Sequence, residues 1–363
     1  MAEETSGVAK LIHEREEESQ AQEYLWNCIF GFTETAVVKC AVELGISDYL
    51  ETHKQQPVSL NQLSTAFGCC ASSLYRILRF LTNRGIFKEV SSVGDGGDVL
   101  GYVQTPISRL LRRDGENSMA HLLLLQNSPF MLAPWHYLTA RLLDKENTSP
   151  FNAVHGKDAW EYAKNNSEHN KLINDGMACH ARMTTRVIID NYAEIFKGIE
   201  SLVDVGGGNG TTLGMLVKAF PWIKGINFDL PHVVSVAPHY DGVVHVEGDM
   251  FDSVPNAHAA FFMAVLHDWG DEECIRILKN CIKAISKDTG KVIIVETVLE
   301  EKIGNDKSLK DVGFMMDMVM MSHTSNGKER SAKEWAHILS EAGFSRHSIV
   351  NIPAIECIIL AYP

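Results

Sequence analysis

Acidic and histidine side chains recur at the ends of short apolar segments in the second half of the chain. The apolar segments, at 201–205, 225–228, 243–247, 259–266 and 291–295, alternate with helical stretches, which is typical of a mostly parallel sheet covered on both faces. Ligands of such sheets bind at the carboxyl ends of the strands. The polar residues expected at those ends are Asp204, Asp229, Asp249, His267, Asp268 and Glu296. We therefore expect them to converge on one crevice that holds a charged small molecule.

A glycine-rich loop at 206–210 follows the first of these strands. Glycines let a ligand approach the backbone closely, and the N-terminus of the next helix favours a carboxylate or phosphate there. The spacing Gly206-x-Gly208-x-Gly210 departs from the GxGxxG of dinucleotide-binding loops, and Asp204 would repel a pyrophosphate. A cofactor with an ammonium group fits this loop better, which leaves a nicotinamide dehydrogenase as a disfavoured alternative.

Two further acids suit a nucleoside. Asp229 closes the second strand, where a carboxylate can accept hydrogen bonds from both ribose hydroxyls, as it also does for dinucleotides. Asp249 and Met250 follow the third strand, where an acid and an apolar side chain suit the amine and ring of adenine. Each aspartate alone could be a turn or helix cap. Three acids at successive strand ends favour a binding site.

The motifs around these residues resemble a known family. Residues 202–210 have the sequence LVDVGGGNG, 227–233 NFDLPHV and 248–251 GDMF. They are similar to the motifs of plant S-adenosylmethionine-dependent O-methyltransferases of the caffeic acid and flavonoid type, and the similarity extends over nearly the whole chain. The resemblance implies S-adenosylmethionine as the cofactor. By resemblance, Gly206, Asp229, Asp249 and Met250 contact the cofactor. We expect Asp204, which precedes the glycine loop, and Met263, on the fourth strand, at the same site.

The resemblance also implies a fold. The fold class is α/β, with a Rossmann-like methyltransferase domain built on a mostly parallel seven-stranded sheet. We expect this domain at 151–363, a mainly helical winged-helix dimerisation domain at 20–150 and a flexible N-terminus at 1–19. In this family the N-terminal domain pairs two copies of the chain, so we expect a homodimer, with a heterodimer left open.

One departure from the family pattern concerns the strand before His267. The family commonly has Lys-Trp-x-x-His, with the lysine contacting the cofactor, whereas residues 263–267 here have the sequence MAVLH. Loss of one polar contact typically costs on the order of 1 kcal/mol. The departure leaves an alternative open, in which the protein binds the cofactor or a phenolic ligand without methyl transfer, as a partner subunit or in a non-methylating reaction.

His267 is the candidate general base. Methyl transfer from a sulfonium needs an aligned oxygen nucleophile and a group that takes its proton. A neutral imidazole, with an ordinary pKa near 6.5, can activate a phenol, whose pKa is near 10. By resemblance, Glu296 and Glu329 are the carboxylates that orient the imidazole. Alternatively, they are a surface acid and a helix cap, but the family pattern is intact at all three positions.

The resemblance also indicates an acceptor pocket. Methionine side chains suit a flat apolar ring. We therefore expect transfer to a phenolic hydroxyl of a plant specialised metabolite, whether flavonoid, phenylpropanoid or alkaloid, without a metal ion. The residues that the resemblance assigns to this pocket are Met177, His180, Asp268, Met316, Met320 and His323.

Composition limits the possible partners. The chain has 363 residues, a 45% hydrophobic content and a net charge of −13, which together predict globular domains that do not bind nucleic acid or an anionic membrane strongly. Neither a membrane span nor a secretory signal is evident, and eight cysteines without zinc-site spacing indicate a reducing compartment. We expect a cytoplasmic protein.

The elements expected between residues 59 and 104 are a helix, a second helix and a hairpin. Ser59 begins the first helix, Gly68 ends it, and the second helix runs through 72–81. This order is typical of a winged-helix unit, which often binds DNA. Because Arg76, Arg79 and Arg84 supply little positive charge, we favour a packing module over a ligand-sensing regulator.

Overall fold

The computed structural model describes residues 2–54, 56–94, 97–145, 147–299 and 310–363. The chain forms two compact units, Met1–Ala120 and His121–Pro363. The boundary expected near residue 150 therefore differs from the division that the contacts give. The short helices between residues 121 and 150 belong to the second unit because they pack against later helices of that unit.

The first unit is mainly helical, and its short strands form one antiparallel sheet in the order β1, β3, β2. Residues 2–19, expected to be flexible, have helical backbone and are rich in helix-favouring glutamate. The elements are α1 (Ala2–Leu44), α2 (Ile46–Thr52), β1 (Val58–Ser59), α3 (Leu60–Phe67), α4 (Ala71–Asn83), β2 (Phe87–Gly94), β3 (Gly97–Gln104) and α5 (Pro106–Arg109).

The predicted helix, helix and hairpin are confirmed in this unit. Ser59 caps α3 by accepting a hydrogen bond from the Gln62 N–H, and Gly68 ends the helix with a φ of 61°. One face of α4 is buried, and the three arginines weighed for DNA binding are exposed, with Arg84 lying 3.3 Å from a carboxylate oxygen of Glu34. The leucines on the buried face are Leu74, Leu78 and Leu81.

The second unit begins with helices and continues as alternating strands and helices. Prolines at 129, 134 and 150 stand at the starts of short helical segments, so the helical region before residue 159 is divided into several pieces. Its helices are α6 (Ala120–Gln126), α7 (Pro129–Leu132), α8 (Leu138–Leu143), α9 (Pro150–His155), α10 (Ala159–Asn165), α11 (Ser167–Asn191), α12 (Thr211–Ala219), α13 (Pro231–Val234), α14 (Asp271–Ala284), α15 (Lys310–His323) and α16 (Ala332–Ala342). Its strands are β4 (Ser201–Val205), β5 (Lys224–Asp229), β6 (Val243–Glu247), β7 (Ala259–Met263), β8 (Lys291–Glu296), β9 (Val298–Leu299), β10 (Arg330–Ser331), β11 (Arg346–Asn351) and β12 (Cys357–Tyr362).

The predicted seven-stranded sheet is confirmed, with strand order β11, β12, β8, β7, β4, β5, β6. Strands β4 to β8 pair in parallel, and β12 pairs antiparallel with β8 and β11. Two apolar clusters cover its two faces. Val203 and Val205 lie in the cluster with α14 and α16, whereas Leu202 lies in the cluster with α12. This alternation along β4 follows from the two-residue period of a strand buried on both faces.

None of the helices among the described residues is both long enough and apolar enough to span a membrane.

Candidate active site

The structure brings His267, Glu296 and Glu329 together in a buried cluster. His267 lies on a 3₁₀ turn (Leu266–Asp268) after β7, Glu296 ends β8, and Glu329 immediately precedes β10. The Nδ1 atom of His267 lies 2.8 Å from Glu329 Oε1 and 3.5 Å from Glu296 Oε2. All three side chains are buried. Glu329 is therefore the hydrogen-bonding partner of the ring, and Glu296 adds a second negative charge beside it.

Glu296 also shapes the turn that carries His267. Its Oε1 atom accepts hydrogen bonds from the N–H groups of Val265 and Leu266, at 2.9 and 2.7 Å, and lies 3.4 Å from the His267 nitrogen. The strand predicted over 259–266 consequently ends at Met263, and His267 does not lie on it. Ala264 has a φ of 53°, a left-handed conformation that bends the chain out of the sheet.

The cluster concentrates three acids around one imidazole. Burial disfavours the imidazolium, but the charges of Glu296, Glu329 and Asp268 outweigh it and raise the pKa of His267 well above its ordinary value. Burial raises the pKa of Glu296, although His267 opposes it, and burial likewise raises the pKa of Asp268 to about 7. The surrounding carboxylates thus favour the protonated form of this imidazole.

The glycine loop lies against a buried acid, Asp204, and a half-buried acid, Asp229. Asp204 is 2% exposed, and its Oδ2 atom has no hydrogen-bond partner among the residues that the structure describes. Burial, with the charge of Asp229, raises the pKa of Asp204 to about 8. A Cβ atom on Gly207 would lie 2.2 Å from Asn227 Oδ1 and 2.8 Å from Asp204 Oδ2, so only glycine fits this approach.

Asp229 fixes the outer part of the same loop. It ends β5, its Oδ2 atom accepts a hydrogen bond from the Gly208 N–H at 2.8 Å, and its Oδ1 atom accepts one from the Leu230 N–H at 2.6 Å. Burial raises its pKa, opposed by these two donors. Gly206 and Gly208 have φ values of 71° and 58°, which glycine adopts without strain, and open space surrounds the position of a Cβ on Gly208.

Asp249 and Met250 lie just beyond β6. The Oδ1 atom of the exposed Asp249 accepts a hydrogen bond from the Phe251 N–H at 2.8 Å, and the half-buried Met250 packs against the core. Asp249 thus makes a turn contact, one of the alternatives left open by the sequence. This contact is compatible with a ligand role because it uses one oxygen of the carboxylate.

Met263, at the position of the family's lysine, makes contacts inside the protein. The hydroxyls of Thr185 on α11 and Thr212 on α12 lie 3.9 and 3.8 Å from its sulfur. Both threonines are buried. A thioether is a weak acceptor, so these two contacts with hydroxyl groups are weak.

The residues expected to bind the acceptor lie on several elements. Met177 and His180 are on α11; Met316, Met320 and His323 are on α15; and Asp268 follows His267. His180 is buried and forms an ion pair with Glu356 at 2.5 Å. The Thr297 hydroxyl donates to the sulfur of Met316 at 3.7 Å, and both ring nitrogens of His323 lie 2.9 Å from backbone carbonyls. His180 and His323 thus have protein partners for their polar atoms.

Sequence reasoning missed two groups of residues near these positions. Glu356 pairs with His180 and accepts a hydrogen bond from the Thr184 hydroxyl at 3.0 Å; its position in an apolar run at 352–362 was a signal of a buried acid. His169 is 2% exposed, and neither of its ring nitrogens has a hydrogen-bond partner in the described part of the chain. The aromatic rings near His169 are those of Phe130, Phe151 and Tyr162.

The loop residues fit S-adenosylmethionine. A buried carboxyl at Asp204 with an unpaired oxygen suits an ammonium group, because a cation offsets the burial that raises its pKa. The open space beside Gly208 lets a ligand contact the backbone, and Asp229 lies next to it. The cluster of His267, Glu296 and Glu329 has the composition of a metal site, but Glu296 Oε1 accepts backbone hydrogen bonds and His267 Nδ1 pairs with Glu329.

Comparisons with known proteins assign the chain to a family. Residues 135–345 match the family model described as an O-methyltransferase domain, and residues 26–114 match an O-methyltransferase dimerisation domain. An acetylserotonin O-methyltransferase of Arabidopsis thaliana is 48% identical over 96% of this chain and 94% of its own length. A flavonoid 7-O-methyltransferase of Mentha piperita is 45% identical over 96% and 99%.

The solved structures agree with this assignment. The methyltransferase CalO1 of calicheamicin biosynthesis, in its S-adenosylhomocysteine-bound form, aligns with a TM-score of 0.78 and 26% identity over 95% of this chain and 98% of CalO1. The fold, the enzyme class and the cofactor predicted from the sequence are confirmed at the level of the family. The chain belongs to the S-adenosylmethionine-dependent O-methyltransferase family.

Proposed function

We propose that this enzyme methylates a phenolic hydroxyl of a plant specialised metabolite, with His267 as the general base. The observation that carries the proposal is the 2.8 Å contact between His267 Nδ1 and Glu329 Oε1 within a buried cluster beyond the carboxyl ends of β7 and β8. The names of the acetylserotonin and flavonoid relatives support an aromatic acceptor, and that of a reticuline 7-O-methyltransferase extends the class to phenolic alkaloids.

The proton route in this proposal runs through the two ring nitrogens. A neutral His267 that donates Nδ1–H to Glu329 leaves the Nε2 lone pair to take the phenol proton, and the imidazolium formed is stabilised by Glu329 and Glu296. The cofactor supplies an electrophilic methyl group on a sulfonium. Asp268 lies 3.8 Å from Nε2, on the side of the ring where the proton arrives.

We propose the following roles for the cofactor-binding residues. Asp204 faces the ammonium group, because it is a buried carboxyl with an unpaired oxygen. Gly206 and Asp229 bind the ribose side, where Asp229 also holds the Gly208 N–H. Asp249 and Met250 contact adenine with the carboxylate oxygen and thioether that their turn leaves available. Met263 takes the lysine position without supplying its charge.

Restoring that charge gives a test of position 263. Met263→Lys should tighten S-adenosylmethionine binding by roughly three- to tenfold, since one polar contact is worth about 1 kcal/mol. Calorimetric titration measures the change, and Met263→Leu, which keeps the volume without the charge, should leave the dissociation constant near the wild-type value. An unchanged dissociation constant in Met263→Lys would show that the pocket has re-formed around methionine and its two threonine partners.

The acceptor residues are proposed to form an apolar pocket with a polar edge. Met177, Met316 and Met320 offer flexible thioether side chains that fit a flat ring. Asp268, His180 and His323 supply the polar edge. Because the Nε2 atom of His180 is paired with Glu356, His180 contributes as one member of an ion pair rather than as a free hydrogen-bonding group.

The pH dependence of turnover tests the base and its carboxylate together. Only neutral imidazole accepts a proton, and the acids around His267 raise its pKa, so turnover should fall as the pH decreases through a value above 6.5. Glu329→Gln removes one negative charge and so lowers the pKa of His267. The acidic limb of the pH profile, where turnover falls with decreasing pH, should therefore move to lower pH by on the order of one unit. The profile of kcat against pH at saturating substrates measures it. Glu341→Gln, on the exposed end of α16, is the matched control. Coincident limbs in Glu329→Gln and wild type would contradict the role of Glu329.

A panel of acceptors tests the proposed function. The purified protein is incubated with S-adenosylmethionine and, in turn, flavonoids, phenylpropanoids and phenolic alkaloids, and products are identified by mass spectrometry. Methylated product from any phenol supports the proposal and begins to define the acceptor. Tight cofactor binding without product from any member would favour the alternative of a binding protein or partner subunit.

We propose that the enzyme works as a homodimer. The family model for the dimerisation domain covers 26–114, and α1 exposes a row of large apolar side chains that a partner chain would cover. These side chains are Tyr24, Leu25, Trp26, Ile29, Phe30 and Phe32. Light scattering should give twice the monomer mass, and a monomer mass would contradict the proposal.

The cytoplasmic location and the domain limits at 20–150 and 151–363 stay predictions.

A further inference from the structure

The segment that carries Glu329 is fastened to the turn that carries His267. The Lys328 N–H donates a hydrogen bond to the carbonyl of His267 at 2.8 Å. The guanidinium of Arg330 donates to the carbonyl of Leu266 at 3.1 Å and to that of Trp269 at 2.6 Å. The residues on both sides of Glu329 thus hold the backbone on both sides of His267.

Arg330 is the centre of this connection. Its side chain is fully buried, its Nε atom donates to Asp271 Oδ1 at 3.0 Å, and its guanidinium lies 5.6 Å from the ring centre of Trp335. Asp271 is the first residue of α14, four residues after His267, and its Oδ2 atom accepts a hydrogen bond from Lys328 Nζ at 3.2 Å. One side chain therefore joins the turn, the start of α14 and the Glu329 segment.

The segment before Glu329 also lies too close to the His267 turn for any residue larger than glycine at position 327. A Cβ atom on Gly327 would lie 2.5 Å from the carbonyl oxygen of His267 and 2.8 Å from the carbonyl carbon of Asp268. Downstream of Glu329, β10 pairs in parallel with β9, with Arg330 opposite Val298, two residues after Glu296. The backbone on both sides of Glu329 is therefore held close to the other two members of the cluster.

Stability alone is a poor reason for placing a guanidinium here. Moving a cation out of water is costly, and well-packed apolar residues of similar volume often stabilise a protein as well or better. A guanidinium does offer a planar set of donors with fixed directions, which neither an apolar residue nor lysine provides. In this chain those donors are directed at the two carbonyls that bracket His267 and at the acid that begins α14.

We propose that Arg330 is a positioning residue that sets the contact between Glu329 and His267. It touches neither reacting group; it fixes the turn 266–269 relative to residue 329, so that Glu329 Oε1 lies at hydrogen-bonding distance from Nδ1. The proposal rests on the proposed role of His267 as the base. Without the guanidinium donors of Arg330, the turn 266–269 and the segment around residue 329 separate slightly, and the imidazole loses its orientation.

Arg330→Lys is the first test, because it keeps the positive charge and removes the planar set of guanidinium donors. We expect kcat to fall by about 10- to 100-fold, the usual effect of a small misplacement of a catalytic group, while the KM of the acceptor and the Kd of S-adenosylhomocysteine stay near wild type. Arg346→Lys is the matched control, since Arg346 also lies over an aromatic ring, that of Tyr362, but on exposed β11.

The acidic limb of the kcat profile separates positioning from a merely structural role. The charged groups that face His267 are Glu296, Glu329, Asp268 and His180. If Glu329 moves away in Arg330→Lys, the limb moves to lower pH, as in Glu329→Gln. A loss of folded protein would reduce kcat without moving the limb. A limb at the wild-type pH in a folded Arg330→Lys protein would overturn the proposal.

The double variant gives an independent test. If Arg330 acts through Glu329, then Arg330→Lys should lower kcat little further in a Glu329→Gln background, whereas multiplied losses would contradict the proposal. Should Arg330→Lys fail to fold, Asp271→Ala removes one acceptor of Arg330 and should shift the acidic limb in the same direction; no shift would overturn the proposal. Wild-type turnover in His267→Ala would instead refute the proposed role of His267 as the general base. An inactive His267→Ala protein beside a wild-type Arg330→Lys protein would refute the positioning role alone.

Discussion

Replacing His267 by alanine should lower turnover by a factor of roughly 10² to 10⁴, the usual contribution of a positioned general base. The imidazole is buried beyond the ends of β7 and β8 and bonded to Glu329, so its removal takes away the proton acceptor but none of the glycine loop. The Kd of S-adenosylmethionine should therefore stay within about twofold of wild type, because the lost interaction belongs to the chemical step.

Rapid-quench measurement of the first turnover is the appropriate readout for this variant, because it reports the chemical step without product release. His337→Ala, which removes an exposed imidazole from α16, is the matched control and should keep wild-type turnover. Equal first-turnover rates in His267→Ala and wild type would rule out His267 as the base.

Replacing Asp229 by alanine should weaken cofactor binding by roughly 10- to 100-fold, since hydrogen bonds to a charged group are worth about 1.5–3 kcal/mol. The substitution removes the proposed ribose acceptor and also releases the Gly208 N–H, which Asp229 holds at 2.8 Å. Turnover at saturating cofactor should fall much less than the affinity, because the cluster of His267, Glu296 and Glu329 is untouched.

Calorimetric titration with S-adenosylhomocysteine measures the loss in Asp229→Ala. Asp241→Ala removes an exposed acid paired with His239 and controls for the change in net charge. Asp229→Asn keeps one acceptor oxygen and should give an intermediate Kd. If Asp229→Ala binds as tightly as the Asp241→Ala control, the carboxylate contributes nothing to the cofactor site.

The parts of the site predicted from the sequence are those determined by local pattern. The apolar runs and glycine loop define the strand ends, and strand ends converge in a parallel sheet, so Asp204, Asp229 and the region of His267 could be placed together. The roles of Glu296 and Glu329 came from family resemblance. Their proximity depends on the parallel pairing of β10 with β9, the short strand after β8, and this pairing cannot be read from periodicity.

The remaining features depend on long-range contacts. The early end of β7 at Met263 follows from a carboxylate thirty residues away that captures the N–H groups of the turn, and an apolar run alone predicts a longer strand. Arg330 stands in a polar segment of the sequence, yet its side chain is fully buried. His180 gains a partner only because β12 follows Glu356. Burial of single charges is set by packing between distant segments, which one sequence does not display.

Tracing an isotopically labelled methyl group is the most direct test of the proposed reaction. The protein is given S-adenosylmethionine labelled in that group, with the best acceptor from the panel, and the products are analysed by nuclear magnetic resonance. The label should appear on a phenolic oxygen in step with S-adenosylhomocysteine, and its appearance should slow in His267→Ala. A cofactor that binds but keeps its label, or a label found on nitrogen or carbon, would contradict phenolic O-methylation by this enzyme.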